Sequence, residues 1–215
     1  MFSCLAKSPH TLRSTCICWC TVVQPFVKLH CLIMTQKCNM DQSPNPAESY
    51  IESSAQESIE TTVELIEYIR SLHSKSGRPC PPTTEPLVKP ILTPRFALSC
   101  SRELLTRLCK LADSDPSLHI QTHISENLKE IEDVKRAFPD APHYAGVYDT
   151  YHLLRRNTVL GHGVHLEDAE IELIKERHSG ISHCPVSNFN LRSGVAPIGK
   201  YLDRGLKASE KSSDN

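Results

Sequence analysis

The chain has 215 residues, with 24 lysines and arginines against 25 aspartates and glutamates, so its formal charge at pH 7 is −1. This balance gives no general attraction to polyanions and argues against a protein that binds nucleic acid through phosphate contacts. With 39% hydrophobic and 23% charged residues, the sequence can bury one core of ordinary size, which excludes disorder throughout. The most apolar stretch, 16–27, is shorter than the roughly 18 residues of a membrane-spanning helix, so we expect no membrane partner.

The ten cysteines are distributed unevenly, and six of them lie in the first 38 residues. The other four, Cys80, Cys100, Cys109 and Cys184, are widely spaced. Because no convincing secretory signal precedes them, we expect reduced thiols and a cytoplasmic protein.

Residues 1–35 differ in kind from the rest, since no acidic residue occurs before Asp41. A mitochondrial presequence is one alternative. A zinc module is another, built on the Cys-x-Cys-x-Cys run at 16–20 with His30 and Cys31, although structural zinc sites favour two-residue spacers. We favour an unassigned Cys-rich extension, either disordered or not part of the natural protein.

From residue 36 onwards, short apolar runs alternate with amphipathic segments, which is the pattern of repeated strand–helix units. We predict a first strand near 33–39. A helix is predicted at 57–73, where apolar residues recur at steps of three and four. A proline-rich loop at 74–86 follows. The next unit is a strand at 87–93 and a helix with apolar residues from Leu104 to Ala112, for which Ser99 or Ser101 is the candidate cap.

The same alternation continues along the chain. We predict strands at 118–123, 157–161 and 180–184. We predict helices beginning near Ser125, at 146–154 and at 167–178, and a helical turn at 196–204. Gly180 is expected to close the helix at 167–178. Successive strands joined by helices pair in parallel. The fold class is therefore α/β with about five consecutive β–α units, either an open doubly wound sheet or part of an eight-stranded barrel.

In both architectures functional residues lie where strands end and loops begin. Arg95 and Phe96 follow the strand at 87–93, and a cation beside an aromatic ring suits a flat polar ligand. The alternative is an arginine at a rim and a phenylalanine in the core.

The strand at 118–123 places His119, Gln121 and His123 on one face, because side chains alternate along an extended chain. At the end of this strand, His123 is a candidate metal ligand, and Glu126 is a candidate proton carrier. The alternative is a core histidine with Glu126 at a helix N-terminus, where the helix dipole favours its charge.

The strand at 157–161 leads into His162, which lies between two glycines that allow a ligand to approach closely. The last predicted strand leads into a polar segment at 182–188. Cys184 in this segment is a weak candidate for a protease nucleophile, because the proline that follows has no backbone N–H to stabilise an oxyanion.

Four segments in this order resemble the guanine deaminases, which are metal-dependent amidohydrolases: 88–100 (VKPILTPRFALSC), 119–127 (HIQTHISEN), 160–163 (LGHG) and 182–188 (SHCPVSN). The ordered set is far more specific than any of its members, and the resemblance extends over residues 36–207. It implies a partial (β/α)8 TIM-type barrel and hydrolysis of guanine to xanthine and ammonia at one zinc ion. It also implies a homodimer.

The resemblance carries roles over to individual positions. His123 resembles the family's metal-ligand histidine, which also lies at the substrate, and Glu126 resembles its proton-shuttling glutamate. His162 resembles the catalytic histidine that orients the attacking water. Arg95 and Phe96 resemble the pair that recognises the purine.

The sequence departs from the family in two places. It contains no His-x-His, the pair that supplies two zinc ligands in the family, and after Lys207 the polar segment 208–215 stands where a ligand aspartate is expected. One imidazole does not hold zinc tightly against water. We therefore expect a partial amidohydrolase barrel at 36–207 that is inactive alone. The alternatives are a different purine or triazine aminohydrolase, and a non-catalytic remnant that binds purine or a full-length paralogue.

Overall fold

The computed structural model describes residues 15–19, 33–43, 51–75 and 88–210. In these residues seven strands form one sheet in sequence order, with β2 to β7 parallel and β1 antiparallel to β2. The strands are β1 (Thr15–Trp19), β2 (Ile33–Asn39), β3 (Val88–Pro94), β4 (His119–Ile124), β5 (Thr158–His162), β6 (Gly180–His183) and β7 (Lys207–Glu210).

Helices connect the parallel strands. They are α1 (Ala55–Lys75), α2 (Arg102–Ser114), α3 (Leu128–Ala137), α4 (Tyr144–Thr150), α5 (Asp168–Glu176), α6 (Pro185–Asn190) and α7 (Ile198–Asp203). This alternation confirms the α/β class and the five consecutive β–α units between β2 and β7. The strand order has no reversal, as expected for a segment of a barrel and not for a doubly wound sheet. Within the described part of the chain, no helix has the length and apolar character needed to cross a membrane.

The hydrophobic core lies between the sheet and the helices. Ile120 and Ile124 of β4 are fully buried, and so are Leu105 of α2, Tyr148 of α4 and Ile174 of α5. The opposite face of β4 carries the more accessible residues His119, Gln121 and His123, as their alternation along the strand predicts. The helices therefore cover one face of the sheet, and the polar face is left for a site.

Several helix boundaries differ from those predicted. The helix expected near Ser125 begins at Leu128, because the Asn127 side chain accepts a hydrogen bond from the Glu130 backbone N–H (2.9 Å) and caps α3. Gly180 does not close α5; it begins β6, and His178 adopts the left-handed conformation after the helix (φ 57°). Ser101, one of two predicted caps, does cap α2.

Some elements lie where none was predicted. β1 falls within the extension at 1–35, α6 begins within the polar segment at 182–188, and β7 continues the sheet beyond residue 207 by pairing with β6. Residues 1–14, 20–32 and 76–87 lie outside the described part of the chain. The predictions of a presequence, a zinc module and a proline-rich loop fall largely on these ranges. Residues 211–215 of the polar tail also lie outside the described part.

Candidate active site

The carboxyl ends of β4 and β5 bring three of the predicted site residues together. His123 lies near the end of β4, Glu126 lies in the loop that follows, and His162 ends β5. The ring centroids of His123 and His162 are 5.1 Å apart, and Nδ1 of His162 lies 3.4 Å from Oε1 of Glu126. The predicted cluster of an acid and two imidazoles is therefore present as a spatial unit.

His123 is oriented by the neighbouring strand. Its Nδ1 lies 2.6 Å from the carbonyl oxygen of Arg95, and its backbone N–H donates to the same oxygen at 3.1 Å. Because a carbonyl oxygen only accepts hydrogen bonds, Nδ1 carries the proton and Nε2 carries the lone pair of the neutral ring. Histidines that bind metals are oriented in this way.

The loops after β4 and β5 are joined by their backbones and are locally strained. The backbone N–H groups of Val164 and His165 donate to the carbonyl oxygen of Ser125 at 3.0 and 3.1 Å. Ser125 (φ 48°) and His162 (φ 72°) both adopt the left-handed conformation. This conformation costs of order 1–3 kcal/mol for a residue with a side chain, and such residues cluster at functional sites.

Glu126 has an unsatisfied acceptor at the centre of the cluster. Its Oε1 atom is buried and has no hydrogen-bond partner among the residues that the structure describes. Leaving a buried polar atom unpaired costs about 1–3 kcal/mol. Such an atom is expected where a ligand supplies the missing donor.

A second layer of polar residues supports this segment. The backbone N–H of Glu126 donates to Oε2 of Glu130 (3.1 Å), and the hydroxyl of the buried Tyr144 donates to Oε1 of Glu130 (2.7 Å). The hydroxyl of Tyr148 donates to the backbone carbonyl of His123 (2.7 Å).

Burial raises the pKa of the Glu130 carboxyl and also that of the Tyr148 hydroxyl. Sequence reasoning missed these three residues, and only the four-residue spacing of the tyrosines marks two of them.

Arg95 and Phe96 lie at the end of β3. The guanidinium carbon is 5.6 Å from the centroid of the Phe96 ring, and Nη1 is 3.7 Å from Sδ of Met40. Both residues are half-buried, so Phe96 does not belong to the core as the alternative interpretation required. The carbonyl of Arg95 also orients His123, which joins this pair to the cluster.

Asn188 is a further site residue that sequence reasoning did not single out. It lies on α6 and is fully buried, and its Oδ1 is 2.7 Å from Nδ1 of His162. The sequence placed it only within a polar segment.

The described residues offer part of a metal site. His123 has the tautomer and orientation of one ligand. However, no group of three or more His, Cys, Asp or Glu side chains in the described ranges could hold a metal ion. These residues alone therefore do not fit the four-ligand set of zinc.

Comparisons with known proteins agree with this geometry. Residues 27–214 match the Amidohydrolase family. The chain is 50% identical over 171 residues to a probable guanine deaminase of Schizosaccharomyces pombe. The matched region covers 79% of this chain but only 30% of the relative. The chain therefore spans about a third of that relative's length.

Solved structures give the same result. A guanine deaminase from C. acetobutylicum with bound guanine in its active site has a TM-score of 0.69 and 37% sequence identity to this chain. The structural match covers 82% of this chain and 39% of the C. acetobutylicum chain. An adenosine deaminase from Xanthomonas campestris with bound zinc has a TM-score of 0.66 but only 20% sequence identity to this chain. The structural match covers 85% of this chain and 36% of the X. campestris chain. This second likeness shows the fold alone.

Proposed function

Because the chain belongs to the Amidohydrolase family, we propose that it is part of a guanine deaminase, which hydrolyses guanine to xanthine and ammonia. The observation that carries the proposal is the cluster of His123, Glu126 and His162 at the ends of β4 and β5. The relatives named as guanine deaminases, one of them with guanine bound, support the choice of substrate.

Arg95 and Phe96 bind the purine in this proposal. A guanidinium group donates hydrogen bonds in a fixed plane, which suits the oxygen and ring nitrogens of guanine, and an aromatic ring stacks on a flat base. Both side chains are half-buried at the end of β3 and keep part of their surface accessible to a ligand. This pair favours guanine over the alternative triazine or other purine substrates.

Glu126 moves the proton. Water adds to the ring carbon that bears the amino group, and a carboxylate at this place takes the proton from the water and delivers it to a ring nitrogen. A further proton transfer to the amine lets it leave as ammonia. The buried Oε1, without a hydrogen-bond partner among the described residues, supports this role. His162 orients the attacking water, and His123 lies beside the substrate.

We propose one zinc ion as the cofactor, with His123 as one of its ligands. When bound, zinc supplies the Lewis acidity that makes water a nucleophile near neutral pH. A complete ligand set needs groups from outside the described residues, since these contain no group of three side chains that could hold a metal.

By resemblance to the family, we propose a cytoplasmic homodimer. The wide spacing of Cys80, Cys100, Cys109 and Cys184 along the sequence supports the proposed reducing compartment.

The test begins with a full-length read of the transcript across both ends of this coding sequence. The encoded protein is then purified with zinc and assayed for ammonia release from guanine, adenosine and a triazine. We expect guanine to be the best substrate, and we expect Glu126→Gln to lower kcat by roughly 10²- to 10⁴-fold. Zinc-loaded protein that prefers another substrate would contradict the proposal.

A non-catalytic remnant remains the second candidate, because the described residues do not complete a zinc site. Isothermal titration calorimetry distinguishes the two. Guanine binding without turnover by the protein of the complete transcript would support the remnant, whereas turnover would exclude it.

A further inference from the structure

Asn188 occupies a fixed position beside His162. Its backbone N–H donates to the carbonyl of Cys184 (2.9 Å), and its own carbonyl accepts from the backbone N–H of Ser193 (2.8 Å). His162 is 6% exposed, and Asn188 is fully buried. The contact between Oδ1 of Asn188 and Nδ1 of His162 (2.7 Å) therefore joins two immobile groups and costs little additional side-chain entropy.

The surroundings of His162 determine which ring nitrogen carries the proton. Nδ1 faces two oxygen atoms, Oδ1 of Asn188 at 2.7 Å and Oε1 of Glu126 at 3.4 Å. An amide oxygen and an ionised carboxylate oxygen both accept hydrogen bonds and donate none. The neutral ring is therefore protonated at Nδ1, and Nε2 carries the lone pair.

We infer that Asn188 is a positioning residue that fixes His162 as the Nδ1–H tautomer, so that Nε2 is an acceptor. The opposite tautomer would place the Nδ1 lone pair against two acceptor oxygens, which is unfavourable. Glu126 alone does not fix the tautomer, because its Oε1 lies 3.4 Å from Nδ1 and makes no hydrogen bond among the described residues.

Packing alone does not explain an asparagine at this position. Its Nδ2 atom is buried and, among the described residues, has no hydrogen-bond partner. A leucine has the same branched arrangement of heavy atoms and carries no amide group that has to be paired. The favourable contribution of Asn188 at this site is therefore its contact with His162.

The catalytic meaning of this inference rests on the proposed function, in which the Nε2 lone pair accepts a hydrogen bond from the attacking water. The tautomer itself does not rest on it. It can be measured on the 215-residue chain without zinc, guanine or turnover, so failure of the proposed function leaves the result intact.

The experiment is ¹⁵N NMR of the chain with labelled histidines, in which protonated and unprotonated ring nitrogens give well-separated signals. The signals of His162 are those that disappear in His162→Gln. We expect wild-type His162 to be protonated at Nδ1. Asn188→Asp keeps an acceptor oxygen and retains this tautomer, whereas Asn188→Leu changes the tautomer ratio about tenfold towards Nε2–H.

The matched control is Asn190→Leu, which changes an exposed asparagine on the same helix and leaves the tautomer of His162 unchanged. The inference is overturned if wild-type His162 is protonated at Nε2, or if folded Asn188→Leu retains the wild-type ratio. If circular dichroism shows that Asn188→Leu does not fold, the wild type and Asn188→Asp still decide. Loss of the Nδ1–H form in the aspartate variant overturns the inference.

Discussion

Gly161 determines how closely β5 approaches the His123 ring. A Cβ atom at this position would lie 3.0 Å from Cδ2 of His123. The ring cannot move away freely, because its Nδ1 donates to the Arg95 carbonyl at 2.6 Å. We therefore expect Gly161→Ala to lower the free energy of unfolding by about 1–3 kcal/mol, as overpacking does. Urea denaturation of the two proteins measures this difference.

Gly199 provides the matched control. It lies within α7, and an added Cβ would meet no atom within 4 Å. Alanine in a helix is more favourable than glycine by roughly 0.5–1 kcal/mol, so Gly199→Ala is expected to raise stability. If both alanine variants were stabilised equally, the proposed close contact at Gly161 would be wrong.

The sequence predicts site residues where a strand end and a motif coincide, as at His123, Glu126 and His162. Asn188 was missed because it is 26 residues from the histidine that it contacts. Tyr148 was missed for the same reason, since 25 residues separate it from His123. Such long-range partners become visible only when the loops of neighbouring strands meet.

At the scale of elements, α3 is joined to the site by Glu130. This carboxylate accepts hydrogen bonds from the Glu126 backbone N–H and from the Tyr144 hydroxyl. Burial raises its pKa above the ordinary value of 4.5, despite these hydrogen bonds, and the nearby Glu126 charge acts in the same direction. The link between helix and site is therefore sensitive to pH.

The direction of that sensitivity follows from linkage. A carboxyl whose pKa is raised in the folded state contributes stability that is fully present below its unfolded pKa and is lost as the pH rises through its folded pKa. Glutamine does not titrate. We therefore expect the stability of wild type relative to Glu130→Gln to fall as the pH rises above the ordinary carboxyl pKa of 4.5, measured by urea denaturation at several pH values.

Glu132→Gln serves as the control, because Glu132 is exposed on the same helix. Its replacement is expected to change stability little across this range. A stability difference between wild type and Glu130→Gln that rises with pH would show that Glu130 is stabilised as an anion, contrary to the expected effect of burial.

Helix boundaries were predicted less well than the helices themselves, because more than one residue can act as a signal. Ser125 and Asn127 are both suitable caps, but the Ser125 carbonyl is used by the β5 loop, and Asn127 caps α3. Similarly, His178 takes the left-handed position after α5 that glycine usually occupies, which leaves Gly180 for β6. In each case a contact distant in sequence selects between two local signals.

For the whole molecule, the local sequence pattern predicts parallel β–α units but leaves an open sheet and a barrel as alternatives, and only the family resemblance indicates a partial barrel. Local periodicity determines each element, whereas strand order depends on which edges pair. The order β1 to β7 without reversal identifies the barrel segment. The registers also place His123, Gly161 and Ser182 in one row across the sheet, which explains why strand-end motifs converge.

Apolar side chains are concentrated on and after α6. Val186, Phe189, Leu191 and Val195 are 49%, 64%, 65% and 63% exposed within ten residues of chain. Exposed apolar surface of this kind promotes association. We expect Phe189→Ser combined with Leu191→Ser to weaken concentration-dependent self-association in sedimentation velocity experiments. Its free energy of unfolding should stay within about 0.5 kcal/mol of wild type, as for surface substitutions.

The strand edges of the sheet provide a competing route to association, because unpaired backbone groups can template further pairing. Tyr68→Ser is the control for a general loss of exposed apolar area, since Tyr68 is 56% exposed on α1. If the double variant alone dissociates, the α6 surface mediates association. If all three proteins associate equally, backbone pairing at the sheet edge explains it better, and the assembly should then grow without a fixed size, because edge pairing does not close.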